Sequence, residues 1–467
     1  MRKIWCEGDD RRRRRNRVAL GALALIGFGA VLQFGTGLLQ PARHHLHKVR
    51  LEVGRESLSR LHYALLQRNL VEVNSPGSLP SSAVPDESLC AGGLPTLSIV
   101  TDERGLHSRE YGIIANPLKR GRFWERQANI SYFEGGKLRH ETTAGLRVHG
   151  GTSRSDVLKS FKIIFRRSYS GETGSPPGLF FNGESLGTRR FVLSNTRAPV
   201  RYLNALALEL AAELGCETSR LQPVRLVLNG ERMPAGYFLL EHQSRDLLRA
   251  RYGHNRFLWV RLKPASETRN FARRRFSRFM RRVRRHPGPV TAEEIGRQFD
   301  LDGLSSWILA VTFFATTDED QGGYYLDQTD PEARWRSLTW DMDGSFNKGE
   351  KVETHTFHFD SVKGARGRLF RTLMRDDPAY REAFLGKAQA ELDTHLSPER
   401  LRALFARYRG YLDTDLFAGQ ERLREQLDNA EAFLIERHAL YLDALRQYIR
   451  EIARPALAGH HPGQAKD

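Results

Sequence analysis

Residues 301–346, LDGLSSWILAVTFFATTDEDQGGYYLDQTDPEARWRSLTWDMDGSF, mark the place where the chain changes character. Ahead of them lie short segments rich in Val, Ile, Phe and Tyr and bounded by Gly and Asn, the pattern of strands: 94–101, 144–150, 160–166, 189–195, 224–230 and 237–242. One helix interrupts these, TRAPVRYLNALALELAAELGC, whose Leu and Ala spacing suits a buried face and which should end near Gly215. Within the quoted stretch an apolar helix at 301–318 is followed by two strand candidates, YYLDQ and WRSLTWDMD. Beyond it, amphipathic helices run from Gly367 to about Ile452. This order of elements predicts one α+β domain over residues 94–455, strand-rich in its first part and helical in its second.

The same stretch holds the strongest cluster of acids. Asp318, Glu319 and Asp320 end the apolar helix; Asp341 and Asp343 end the second strand candidate, Asp341 standing 23 residues after Asp318. So short a connection lets a helix end and a strand end converge. Converging carboxylates repel unless a hard cation neutralises them, and Mg²⁺ takes one or two such ligands together with waters and substrate phosphates. The plainer reading is that these acids are caps and turn formers. Upstream, GLRVHGGTSR at 145–154 is followed by Lys159 and Lys162. The segment sits between two strand candidates, so its backbone N–H groups, Arg154 and the lysines could meet a polyphosphate. It lacks the spacing of a P-loop or dinucleotide fingerprint, and a hairpin with surface lysines is the alternative.

The chain has 467 residues, 40% apolar and 27% charged, enough for a sizeable core. Three cysteines, Cys6, Cys90 and Cys216, exclude a disulfide scaffold and a four-cysteine zinc site. The net charge of +18 would suggest nucleic acid, but its distribution argues otherwise. Residues 1–17 contribute +5 and residues 261–285 contribute +10, which leaves the rest nearly neutral and removes the main support for phosphate-backbone binding.

The first basic cluster precedes 22 residues, Val18–Leu39, whose clearly polar side chains are Gln33 and Thr36. That length suits a single membrane span and exceeds a usual signal-peptide core. Arg11 to Arg15 should hold the preceding residues 1–17 in the cytoplasm, so an anchor at 18–39 would place the main domain outside an inner, or plasma, membrane. Residues 40–93 read as a stalk and a Pro- and Ser-containing linker, and 456–467 as a disordered tail. Cys90 and Cys216 either pair there or remain lone thiols. In the second basic cluster, Phe276, Phe279 or Met280, and Val283 fall on one helical side with arginines elsewhere between Arg273 and Arg285. That predicts an amphipathic helix on anionic lipid or an acidic partner, or else a solvated arm. The G-x-S-x-G match at Gly183–Gly187 lacks a preceding strand and following helix, and reads as a turn.

In one consistent order over most of residues 95–415, AGLRVHGGTSR with LKSFKI, VLNGERMPAGYFLLEH, TTDEDQGGYYLDQ, WDMDGSF, and LFRTLMRDDPAYREAFLGKAQAEL with DTHLSPERL resemble the spore-coat protein H (CotH) kinase-like family. Members of that family are atypical relatives of the protein-kinase fold that bind ATP and phosphorylate secreted proteins. The resemblance implies ATP with Mg²⁺ or Mn²⁺, and a protein or envelope acceptor. By motif, it makes Asp318 the acid that orients or deprotonates the acceptor hydroxyl, and Asp341 the metal ligand, with Asp343 sharing the metal. It makes Lys159, or the nearby Lys162, the contact to ATP phosphates, and Glu241 the carboxylate that holds this lysine. One departure stands out. The family's Asn before the aromatic pair, a second metal ligand, is replaced here by Gly323. That leaves a one-metal enzyme, a shifted ligand such as Asp320 or Gln321, or a silent binder. The expected function is a membrane-anchored phosphotransferase facing outward, where ATP is scarce. The alternatives are a non-catalytic envelope scaffold and transfer of AMP on the same fold.

Overall fold

A computed structural model describes residues 93–453, apart from 173, 262–270, 320, 350–355 and 415–420. All described residues belong to one compact unit within Leu70–Asp467. The expected anchor at 18–39, its flanking segments, the tail, Cys6, Cys90 and Asp320 lie outside them. Among the described residues no helix is long and apolar enough to cross a membrane.

Eight strands form the first part: β1 (Thr96–Thr101), β2 (Arg126–Glu134), β3 (Lys137–His149), β4 (Ser160–Ile164), β5 (Arg190–Asn195), β6 (Leu221–Leu228), β7 (Glu231–Arg232) and β8 (Tyr237–Glu241). Their order is β1-β2-β3-β4-β5-β8-β6-β7, and the sheet closes because β6 also pairs in parallel with β1, from Thr96 opposite Arg225 to Ile99 opposite Leu228. β6 does this by dividing its length, pairing Leu221–Val224 with β8 and the following residues with β1. Closure removes the exposed edges a sheet would otherwise present. Alternate residues point inward and fill the barrel, among them Leu97, Ile130, Leu146, Phe161, Ile163, Phe191, Leu193, Leu226, Tyr237 and Leu239. The expected strands all form. β2 is an addition: RQANISYFE alternates weakly and carries Arg, Asn and Gln, so its pattern is muted.

The second part is helical, with a small antiparallel sheet of β9 (Phe257–Arg261), β10 (Gly323–Asp327) and β11 (Arg336–Leu338) at its border. Its helices are α1 (Pro199–Glu213), α2 (Arg245–Tyr252), α3 (Phe271–Arg284), α4 (Leu301–Phe313), α5 (Gly364–Asp376), α6 (Pro378–Asp393), α7 (Pro398–Leu412) and α8 (Glu421–Ala453). Local sequence explains several ends. Pro378 and Pro398 occupy first-turn positions, while the side chains of Asp377 and Ser397 accept from the backbone N–H of Tyr380 and Arg400. α4 is buried on all sides from Leu304 to Phe313, so it is the central rod of this part. It stops at Phe313, five residues sooner than its apolar pattern suggests, and Ala315 turns left-handed (φ 51°). The carbonyls orphaned there are capped by Arg437 of α8, whose Nε and Nη2 donate to Phe313 O (2.7 Å) and Thr312 O (2.6 Å).

The arginine-rich helix α3 corrects an expectation. Phe276 stacks on Tyr324 at 4.3 Å between centroids and meets Trp335; Phe279 stacks on Phe299, and Met280 and Val283 pack on the same core. The apolar stripe expected to enter lipid is thus consumed by the β9–β10 sheet, because that sheet needs a cover on this face. Its arginines face outward. Cys216 is a buried free thiol, pushed by burial up to about 12. Gly183–Gly187 is a turn, with Gly183 and Gly187 both left-handed.

Arg437→Ala should strip two carbonyls of a buried, charge-assisted cap and open a cavity beside Phe357, whose ring lies 3.8 Å below the guanidinium. The expected loss is about 2–4 kcal/mol, read as a lower midpoint in denaturant unfolding, with Arg437→Lys recovering part of it.

Candidate active site

The acids lie in two loops that pack on each other. Thr317 N donates to Gly344 O (3.2 Å), Phe346 N to Phe314 O (2.7 Å), and the hydroxyls of Thr316 and Ser345 meet at 2.8 Å. The contact is close because Gly344 has no side chain: a Cβ there would fall 2.6 Å from Thr317 Oγ1 and 3.3 Å from the backbone N of Asp318. Asp341 is itself left-handed (φ 60°), a conformation Asp tolerates better than most residues, and Phe346, Asn347 and Lys348 follow in the same region. α1 supports this loop. Asn204 Oδ1 accepts from Met342 N (2.7 Å), and Arg201, one turn earlier, lies near Asp343.

Asp318 and Asp343 come within electrostatic reach of one another. Burial, and then the charge of Asp318, push the Asp343 carboxyl above its ordinary value. Gln321 Nε2 donates to Asp318 Oδ2 (2.8 Å). Glu319 serves the scaffold: its side chain accepts from Lys363 N (2.8 Å) before α5. Its carbonyl and that of Gln321 are gathered by Arg366, which stacks 3.6 Å over the Trp307 ring. Among the described residues no group of three or more His, Cys, Asp or Glu is arranged to hold a metal. The donor set nevertheless suits a hard divalent cation, because two mutually repelling carboxylates, one with a raised pKa, are relieved by one.

The basic side is the outer face of the barrel. Lys162 on β4 lies opposite Arg147 on β3 and Val192 on β5, and Val192 lies opposite Leu240 on β8, so all four share one face. His149, Arg190 and His242 follow by alternation. Lys162 Nζ meets His242 Nε2 at 2.8 Å, and the His242 ring lies 6.0 Å from His149 and 6.3 Å from Trp340. Trp340 is the residue before Asp341, so the basic wall and the acid loop adjoin through it. Burial and then Lys162 hold both histidines well below their ordinary values, hence neutral. Burial, reinforced by Arg190, Arg261, Arg147 and Arg154, draws Lys162 down to about 7.

Three expected site residues point elsewhere. Lys159 Nζ donates to Arg154 O (3.0 Å) and Asp156 O, and Arg154 donates to Gly150 O (2.9 Å) and Pro117 O (2.7 Å). Both cations close the turn between β3 and β4, which needs carbonyl partners because it belongs to no ladder. Glu241 does not hold a lysine. It belongs to the inward face of Tyr237 and Leu239, and its Oε2 accepts from Arg251 Nη2 (3.2 Å) and Arg220 N (3.1 Å). Lys162 is on the other face and takes His242 instead. Sequence reading assigned no role to His242, Trp340, Arg201, Asn204 or Arg366; only His242 and Trp340 lie within the quoted motifs. At Gly323 a Cβ would lie 2.6 Å from the Trp259 ring and 2.8 Å from Val260 O, so no asparagine fits this backbone.

A closed barrel thus sets a basic outer wall beside a helical part that presents acids. The chain belongs to the CotH kinase protein family, which it matches over residues 146–436, more than half its length. Membership implies ATP use and phosphoryl transfer. No curated protein matches. Among solved structures, the crystal structure of a Helicobacter pylori proinflammatory kinase, CtkA, aligns with 59% of this chain and 94% of its own at 9% identity and a TM-score of 0.31, too low to carry an argument.

Gly344→Ala should force the two loops apart and cost about 1–3 kcal/mol. Asp343→Asn should act oppositely. A carboxyl whose pKa is raised on folding loses stability as pH climbs past its unfolded value. Its removal should therefore raise the melting temperature by roughly 1–2 °C at pH 7 while leaving pH 3 unchanged, in calorimetry without divalent ions.

Proposed function

We propose that this protein transfers the γ-phosphoryl group of ATP to a hydroxyl of an envelope or extracytoplasmic protein. The observation that supports this most is the chain of contacts from Lys162 through His242 to Trp340, which sets the barrel's cationic wall beside Asp341, Asp343 and Asp318. In this reading Lys162 binds phosphate oxygens, with Arg190 and Arg261 adding positive charge. Asp318, steadied by Gln321, orients the acceptor hydroxyl and takes its proton. Asp341 and Asp343 would hold Mg²⁺ or Mn²⁺, which supplies charge neutralisation at the phosphates. Such a reaction asks mainly for positioning and fixed charge, and these residues can supply both. With Gly323 closed to a second ligand by Trp259, one cation is the stoichiometry the donors favour.

Incubating the full-length chain with Mg²⁺, a protein extract and either γ- or α-labelled ATP tests the reading. Incorporation of γ label is expected, reduced about 10²–10⁴-fold by Asp318→Asn and lost in Asp341→Ala. Label from the α position would indicate AMP transfer, and nucleotide binding without transfer a scaffold.

We also propose that Val18–Leu39 anchors the protein with its main domain outside. The outward arginines of α3 then attract anionic headgroups by charge alone, at about 1 kcal/mol each. A reporter active only outside the cytoplasm, fused after residue 39, should work. Salt-sensitive binding to anionic vesicles should vanish when Arg274, Arg275, Arg278, Arg281 and Arg282 become Gln. A silent reporter or unchanged vesicle binding would refute the corresponding half.

A further inference from the structure

We propose that His242 is the positioning residue of Lys162, and that because this partner is not a carboxylate, the cleft takes up a proton from solvent whenever a polyphosphate binds. This rests on the reading that Lys162 meets the phosphates. It adds what holds the lysine and what binding does to its charge.

Among the described residues no acid pairs with Lys162. Glu241, next to His242 in sequence, is turned to the inward face and held by Arg251 and the Arg220 amide. Glu125 is occupied by Arg147 (2.5 Å) and Arg166 (2.5 Å). Asp246 of α2 pairs with Arg190 (3.3 Å), and Asp156 with Arg201. Among the described residues the charges that act most on Lys162 are basic: Arg190 on β5, Arg261 on β9, Arg147 on β3 and Arg154 in the turn before β4, with His149 and His242 behind, while the acid loop of Asp341 and Asp343 adjoins this wall through Trp340. His242 is 8% exposed, and its Nδ1 is buried with no hydrogen-bond partner among the described residues. The ring therefore has a single engaged nitrogen, Nε2, and that atom fixes the Lys162 amine at 2.8 Å. Its ring edge in turn rests toward Trp340.

A neutral imidazole can meet the lysine in either charge state. It accepts from an ammonium when Nδ1 carries the ring proton, and donates to a free amine when Nε2 does. A carboxylate beside the amine would instead hold it as the ammonium by its charge. Surrounded by arginines and empty of anion, the pair gives up its proton easily, consistent with a lysine drawn down to about 7. A polyphosphate reverses the local field, and the amine binds a proton from water to become the ammonium that contacts phosphate oxygen. By linkage, binding then weakens about tenfold per pH unit above that value until the bound-state pKa is passed.

Calorimetric titration of the full-length chain with sodium tripolyphosphate, and separately with ATP, at pH 8 in two buffers of different ionisation enthalpy reads the protons exchanged. The expected uptake is about 0.9 proton in the wild type. His242→Gln, which keeps a neutral acceptor, should preserve it. His242→Glu should still bind but take up almost none, with affinity flat from pH 7 to 9, and Lys162→Met should abolish the pH dependence. Equal uptake in wild type and His242→Glu, a pH-independent wild type, or no tripolyphosphate binding would each overturn the proposal. Label transfer from ATP accompanied by pH-flat binding would sink this inference and leave the phosphotransferase reading intact. Proton-linked binding without transfer would do the reverse.

Discussion

Closure of the barrel through the parallel pairing of β1 with β6 gives the first part of the chain an inside and an outside, and strand alternation then assigns each residue to one of them. From this constraint the cationic wall follows. Phe161 and Ile163 must point inward, so Lys162 between them points out; Leu239 points inward and takes Glu241 with it, so His242 points out. The apolar residues set the register, and the functional ones are placed by it. A one-residue slip of β8 would bring Glu241 to the lysine and bury His242 in the barrel, at the cost of exposing Tyr237 and Leu239.

The helical part solves a different problem, since it must hold acids close together without letting the loops that carry them drift apart. It does so with buried cations that bind carbonyls rather than carboxylates. Arg437 caps α4 just before the acid segment, and Arg366 gathers the carbonyls of Glu319 and Gln321 from beneath, stacked on Trp307. The backbone that displays the acids is fixed by these hydrogen bonds and by the missing side chain at Gly344.

The border sheet joins the two halves and carries the position of Gly323. Trp259 fills the space above Gly323, and Arg261, opposite Gly323 in the ladder, brings positive charge toward Lys162 and His242. An aromatic ring and a neighbouring cation thus line the position where the family resemblance led us to expect a polar ligand. On the other face of the same sheet α3 supplies the cover, and so its apolar residues belong to the core.

By itself the sequence determined the class of fold, most of the strands, the helical character of the second part and the pair of acid segments, because each of these is written in local periodicity or contiguous motif. It could not choose between Lys159 and Lys162. Both are lysines three residues apart, and what separates them is that one lies in a turn whose carbonyls need donors and the other on a strand facing outward. Nor could it show that Glu241 turns away, that the stripe of α3 is consumed inside, or that Arg366 and Asn204 support the acid loops. Those outcomes depend on which face a ladder buries and on contacts between residues far apart in the chain, and only the tertiary structure decides them.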